Sequence, residues 1–277
     1  MPETNVQSSP EGLPRIAASS YLNTAPLIWS FLRGTRRHTV RLVTDAAPAR
    51  CADLLASGEV DAALVPIIEY ERITEIRVVP GVCVGSHSAV RSVVLASKYD
   101  DLKNIRKVAL DASSRTSQAL VKIIFREFLG FEPRWESSRP DLSMMLKTND
   151  AALIIGDPAM KISSKDLHMF DLSMLWRQFT GAGFVFAMWM ARASAAPAIR
   201  DLDFAGARDE GLEHIDEIAR EYEPLIGLPE GELTTYLRDN ICFNFDDDMQ
   251  KGQELFFKLA YKHGIISNAT DLKTIDE

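Results

Sequence analysis

The chain has 277 residues, 46% of them hydrophobic and 25% charged, with a formal net charge of −8; this describes a folded globular protein of one large domain or two modest ones. The acidic balance and a pI near 5.3 exclude a basic stripe for nucleic acid or a patch for anionic membranes, so an anionic ligand must be attracted by local groups rather than by the global field. Met1 to Leu13 is rich in Pro, Ser, Glu and Gly without the apolar centre of a secretory signal, and no apolar run reaches membrane-spanning length; the expectation is a disordered tail over 1–14 on a cytoplasmic protein.

Arg15 to Ala18 reads as a short strand that runs into Ser19-Ser20-Tyr21-Leu22-Asn23-Thr24 and then into a helix opened by Pro26. That order builds a polar helix mouth off a strand end, where backbone N–H groups and hydroxyls face a ligand. Thr39 to Val43 reads as a strand, Ala49 to Ala56 as a helix stopped by Ser57-Gly58-Glu59, and Val60 to Val65 as a further strand. The β-branched runs Val78 to Val84 and Val90 to Ala96 flank the polar connection Gly85-Ser86-His87-Ser88. Lys107 to Leu110 is a strand, Asp111 to Thr116 is polar, and Leu120, Ile123, Ile124 and Phe128 then recur at the helical period, which makes a second mouth. A third follows the continuous apolar strand Ala151 to Ile155, where Gly156-Asp157-Pro158 supplies a turn, a capping carboxylate and a first-turn proline. After the apolar run Phe184 to Met190 the pattern turns helical over Asp209 to Tyr222, Glu230 to Leu237 and Asp247 to His263. Asp246, Asp247 and Asp248 complement the dipole of the last helix, which favours caps over metal ligands.

The alternation predicts an α/β protein. The runs Val90 to Ala96 and Phe184 to Met190 bracket a middle block and, read as hinge strands, give a two-lobed, periplasmic-binding-protein-like (type 2) plan with an inter-lobe cleft. Its lobes are 15–93 with 190–277, and 94–189. In open α/β sheets ligands sit beyond the carboxyl ends of the strands, where the three mouths fall.

Nucleotide-binding GxGxxG and GxxxxGK[ST] patterns, the zinc-protease HExxH and the GxSxG nucleophile elbow are all absent. Five histidines are scattered singly, and only His87 lies in a cleft loop. Cys51, Cys83 and Cys242 lack metal-site or redox spacing and read as small apolar filler. What remains is a set of neutral donors: Asn23 and Thr24 at the first mouth, Ser86 and Ser88 in the Gly85 loop, and Ser113, Ser114, Thr116 and Ser117 around Arg115 at the second. Such groups suit a small polyoxygenated acid. N-capping accounts for Ser113 and Ser117, but less well for Asn23, because Thr24-Ala25-Pro26 offers its own cap. Arg115 either reaches the ligand or pairs with a surface acid. Asp157 is a helix cap before it is an acid or base, unless burial raises its pKa.

Several of these segments together resemble one family. Ser20-Tyr21-Leu22-Asn23-Thr24 with Pro26-Leu27, Gly58-Glu59-Val60-Asp61 through Leu64-Val65-Pro66 to Ile68-Glu69-Tyr70, Val90-Arg91-Ser92-Val93, Asp111 with Ser113-Ser114-Arg115-Thr116-Ser117, and Ile155-Gly156-Asp157 are similar, in register, to chorismate dehydratase of the futalosine route to menaquinone. The resemblance runs from about Arg15 to Arg192 and is weaker in the helical tail; Ala25 departs from it, where a longer polar side chain is expected. It implies a periplasmic-binding-protein-like fold used for catalysis, converting chorismate, a dicarboxylate, to 3-[(1-carboxyvinyl)oxy]benzoate with loss of water. No metal or organic cofactor is implied, and the protein would be a monomer or homodimer. It further implies Asn23 as the catalytic residue, holding the leaving hydroxyl or an adjacent carboxylate. Tyr21, Thr24, Ser86, Ser114, Arg115, Thr116 and Asp157 would bind substrate, whose own enolpyruvyl carboxylate would remove the proton. Two alternatives stay open: 1,4-dihydroxy-6-naphthoate synthase of the same pathway, and a sensor that binds a small acid without chemistry.

Overall fold

The computed structural model describes residues 12–162 and 165–277. Residues 1–11 of the expected tail lie outside that range, while the Pro14 carbonyl already accepts from the Arg41 N–H at 2.8 Å. Among the described residues eleven strands form two sheets: β1 (Arg15–Ser19), β2 (Arg41–Asp45), β3 (Ala62–Pro66), β4 (Ile76–Ser86), β5 (Val93–Ser97), β6 (Lys107–Asp111), β7 (Arg134–Ser138), β8 (Ala151–Ile155), β9 (His168–Asp171), β10 (Phe184–Arg192) and β11 (Cys242–Asn244). The first sheet has the order β11-β4-β10-β3-β1-β2 and the second β7-β6-β8-β5-β9.

Burial separates centre from edge as the sequence pattern requires. All five residues of β3, of β5 and of β8 are buried, and these are the continuous apolar runs. The edge strands β2 and β7 show only intermediate and exposed positions. β1 runs parallel to β2 and β3, and β6 runs parallel to β7 and β8, so the polar segments after β1, β6 and β8 all leave carboxyl ends of parallel strands. One large buried cluster includes residues of both sheets, among them Ile16, Leu64, Leu95, Leu110, Trp176 and Trp189.

The two-lobed plan stands, with the crossings displaced from where the apolar runs placed them. β10 pairs with β3 and β4 along its length, from Phe184 opposite Ser86 to Arg192 opposite Ile76, and belongs wholly to the first sheet. β5 pairs only with β8 and β9 and belongs wholly to the second. The chain therefore crosses at 87–92 and returns before Phe184, next to Gly181 with its left-handed φ of 74°, rather than at 189/190. An apolar run reports that a strand is buried, not which sheet supplies its neighbours. Because Ser86 lies opposite Phe184, the two crossings run side by side, as a hinge requires. The C-terminal helices Phe204–Glu213 and Ile215–Ile226 replace the single helix expected over 209–222; the break falls at His214, whose ring stacks on Trp29 at 3.7 Å. No helix among the described residues is long and apolar enough to cross a membrane.

Candidate functional site

The first mouth is a 3-10 turn, Leu22–Thr24, leading into the Ala25–Leu32 helix. Thr24 stands at the N-cap position, yet its hydroxyl makes no capping bond. It is buried and pairs with the Ser19 hydroxyl at 2.8 Å, with a longer 3.4 Å contact to Asn23 Oδ1. Capping thus explains neither residue, and the Asn23 amide faces the cleft beside the Tyr236 hydroxyl.

The second mouth opens the Arg115–Ile123 helix. Asp111 at the end of β6 is fully buried; its Oδ1 accepts from the Ser113 N–H and hydroxyl at 2.9 and 2.6 Å, while its Oδ2 has no partner of hydrogen-bond geometry among the described residues. Burial pushes that carboxyl up, against the pull of Ser113. Ser113 is therefore occupied in a turn rather than in capping. Ser114 holds the N-cap position without a side-chain cap bond, so its buried hydroxyl is available to the cleft. Thr116 Oγ1 accepts a long bond, 3.4 Å, from the Ile68 N–H of the first lobe. Arg115 lies where the sequence placed it, but its guanidinium spans the lobes, 3.0 Å from Glu69 Oε2 and 2.6 Å from Asp53 Oδ1. Arg115 thus carries two carboxylates across the lobes while also lining the cavity.

The third mouth differs from expectation in the role of Asp157. Gly156 is the N-cap of the short Asp157–Met160 helix and no side chain caps it. Asp157 Oδ1 instead accepts from the Leu22 N–H, 3.0 Å away in the other lobe. Burial is the main influence on this carboxyl and pushes it up to about 6, with the Leu22 N–H and Lys161 pulling the other way. Gly156 is in contact with Tyr21: a Cβ there would stand 2.6 Å from the ring. The Tyr21 phenol is pushed up to about 12 by burial and by the nearby Asp111 carboxylate.

Ser19, Tyr21, Asn23 and Thr24 of the first lobe face Ser113 to Ser117 and Gly156 of the second across a cavity of about 60 Å³ floored by Leu64, Val84 and Phe186. Ligand sites usually run to about 300–1,000 Å³, so the cavity as it stands is narrower than a ring-sized acid needs. Ser86 is not in its wall; it is buried at the start of the first crossing, where its hydroxyl accepts from the Ser88 N–H and donates to the Ser88 carbonyl, both at 3.2 Å. The structure therefore places Ser86 in its own turn and does not bring it to the cavity wall.

Sequence reading missed the tyrosines behind this wall. Tyr236, in the π turn Tyr236–Asn240, is fully buried, with its hydroxyl 2.8 Å from Ser92 Oγ, and burial pushes it up beyond the usual phenol range. Tyr222 donates to the Ser20 carbonyl at 3.0 Å and is pushed up to about 12 by burial, with the Asp157 carboxylate adding to it. Both come from the helical half, where apolar periodicity marks a core face but not an inward hydroxyl.

Two α/β lobes joined by paired crossings, with polar helix mouths meeting between them, define a protein of the periplasmic-binding-protein fold. The periplasmic aliphatic sulphonate binding protein of Escherichia coli superposes with a TM-score of 0.64 at 16% identity, covering 95% of this chain and 91% of that one. A Candida albicans protein with the generic periplasmic binding protein fold gives 0.63 at 15% identity, covering 94% and 92%. At these identities the likeness is one of fold. The chain belongs to the menaquinone biosynthesis family, whose model matches residues 14–262. The chorismate dehydratase of Thermus thermophilus is 32% identical over 273 residues, 88% of this chain and 92% of that protein.

Proposed function

We propose that this protein is a chorismate dehydratase acting in the cytoplasm, eliminating water from chorismate to give 3-[(1-carboxyvinyl)oxy]benzoate for menaquinone synthesis, without a metal or organic cofactor in the reaction. The observation that carries the reading is the placement of Asn23 across a narrow cleft from Ser114 and Thr116, within a chain of the menaquinone biosynthesis family. Loss of the ring C4 hydroxyl and the C3 hydrogen makes the ring aromatic, so the protein has to supply orientation, desolvation and hydrogen-bond donors to the departing hydroxide rather than a strong base.

The Asn23 amide is the donor to the leaving hydroxyl. Ser114 and the N–H groups opening the Arg115–Ile123 helix take one substrate carboxylate, and Tyr21 and Thr24 shape the opposite wall. Arg115 and Asp157 act from the edges, holding the lobes together once substrate is inside. The enolpyruvyl carboxylate of the substrate takes the C3 proton. Incubation of the purified protein with chorismate, followed by ultraviolet detection and mass identification of the aromatic product, tests the reading. A 1,4-dihydroxy-6-naphthoate synthase leaves chorismate untouched, and a sensor retains it and returns it unchanged; either result overturns the proposal.

A further inference from the structure

Three features without a place in the dehydration meet at the hinge. His87 starts the first crossing, Cys242 starts β11, which pairs with β4 at Gly85, and Asp246 caps the Asp247–Lys262 helix. Each offers a ligand atom, and the three atoms lie within 4.8 Å of one another.

We propose that His87, Cys242 and Asp246 hold a zinc-class divalent cation beside the hinge, with Asp248 orienting the histidine. His87 Nε2 is 3.2 Å from Asp246 Oδ2. Tetrahedral zinc with bonds of about 2.0–2.3 Å sets its ligand atoms about 3.3–3.8 Å apart, so the imidazole and carboxylate already stand near that spacing and the thiol has to close by about an ångström. The carboxylate is fixed in this pose, because Asp246 Oδ1 accepts from the N–H groups of Asp248 and Met249 at 3.1 and 2.9 Å and leaves Oδ2 turned to the ring. Asp248 Oδ2 lies 2.9 Å from His87 Nδ1. A carboxylate on the far nitrogen is how metal-binding histidines are held, since it fixes the tautomer and presents Nε2 to the ion.

The charges are arranged for a cation. Arg177 sits 2.6 Å from Asp248 Oδ2 and offsets that carboxylate, whereas among the described residues no Lys or Arg pairs with Asp246. Imidazole, thiolate and carboxylate together select zinc or a neighbouring late transition metal over magnesium and calcium, which want oxygen alone. His87 and Asp246 are 42% and 47% exposed in their side chains, so the ion has an open approach from solvent and a water would complete the fourth position as the thiol closes onto it. Gly183 of the return crossing makes room: a Cβ there would come within 3.1 Å of Asp248 Oδ2 and 3.3 Å of His87 Nδ1. The bound ion would tie the first crossing to the helix packed on the second, bracing the hinge without entering the cleft.

The full chain, stripped of metal by chelator dialysis, is titrated with zinc against a chromophoric chelator and, separately, with cobalt. One equivalent of zinc should bind, and cobalt should give a near-ultraviolet thiolate-to-metal band. Cys242→Ser should abolish that band and weaken zinc at least tenfold, and Asp248→Asn should weaken it about tenfold, with metal-free melting temperatures unchanged in both. Where Cys242→Ser disturbs folding, His87→Gln and Asp246→Asn carry the same expectation for zinc affinity. Wild-type binding below one-tenth of an equivalent, or a cobalt band and zinc affinity that survive these substitutions, overturns the site.

Discussion

The Leu22 N–H donates to Asp157 Oδ1 at 3.0 Å, tying the helix mouth of one lobe to the helix mouth of the other. The bond leaves a carboxylate largely buried between them, raised to about 6 from an ordinary 3.8. Its pH dependence runs opposite to that of a salt-bridged surface carboxylate. Because the folded value lies above the unfolded one, the folded protein binds the extra proton, and stability falls as pH rises through about 4 to 6, by up to roughly 3 kcal/mol once the group is ionised. Asp157→Asn keeps an acceptor for Leu22 and removes the charge. Its stability should exceed wild type at pH 7.5 by about 1–3 kcal/mol, with the gap closing near pH 4.5. Asp111 and Asp171 are also raised by burial, so urea unfolding of both proteins at the two pH values is compared as a difference; a gap independent of pH would count against the buried charge.

Arg115 supplies the second tie, reaching Glu69 and Asp53 from the opposite lobe. The Glu69 side chain is only 3% exposed and has Arg72 at 3.0 Å as its other cation. Arg115→Ala leaves Glu69 underpaired and should cost about 2 kcal/mol, below the cost of stranding a fully buried charge because Arg72 remains. The double variant with Glu69→Gln should cost less than the sum of the two singles by at least about 1 kcal/mol. Additive losses in denaturant unfolding would show that the clamp contributes nothing as a pair.

Asn23 lines the cleft with its amide beside the Tyr236 hydroxyl and its Oδ1 taking only a long 3.4 Å contact from Thr24. Asn23→Ala should lower kcat by about 10²–10³, the range for removing one donor aimed at developing negative charge, with the melting temperature nearly unchanged. Tyr236→Phe tests the support behind it: the hydroxyl lost from Ser92 should cost about 1 kcal/mol of stability and lower kcat more than it changes KM, because Asn23 loses its neighbour without substrate losing a contact. Steady-state kinetics of both variants decide this, and an unchanged kcat in Asn23→Ala would remove it from the chemistry.

The strand-end mouths were legible because they are local. β1, β6 and β8 are short apolar runs followed at once by Ser-Tyr-Leu-Asn-Thr, Asp-Ala-Ser-Ser-Arg-Thr and Gly-Asp-Pro, and a parallel strand feeding a helix leaves those residues nowhere to go but the sheet's ligand edge. The partners of those residues were not legible. Arg115 meets Asp53 and Glu69 and Asp157 meets Leu22 only because the lobes close, and nothing at i±4 announces a contact made 46 or 135 residues away. The place of Ser86 was hidden for a related reason: a polar residue at a strand end can serve its own turn, as it does with Ser88. The edge strand β7 and the crossing points were hidden because weak apolar character and sheet membership are decided by neighbours, not by the segment itself.

Gly156 carries the last prediction, since two separate constraints fall on it. Its φ of 66° and ψ of −152° lie in a region open to glycine alone, a backbone cost of about 1–3 kcal/mol for any other residue. A Cβ would also stand 2.6 Å from the Tyr21 ring across the cleft. Gly156→Ala should therefore lose stability through the backbone and push Tyr21 off the wall that faces Ser114, lowering kcat/KM for chorismate. Adding Tyr21→Ala separates the two: the steric part disappears and the backbone part stays. The double variant should be less destabilised than the sum of its singles by at least about 1 kcal/mol. Strict additivity in urea unfolding would mean that the ring yields freely and that the cleft tolerates a side chain at this point.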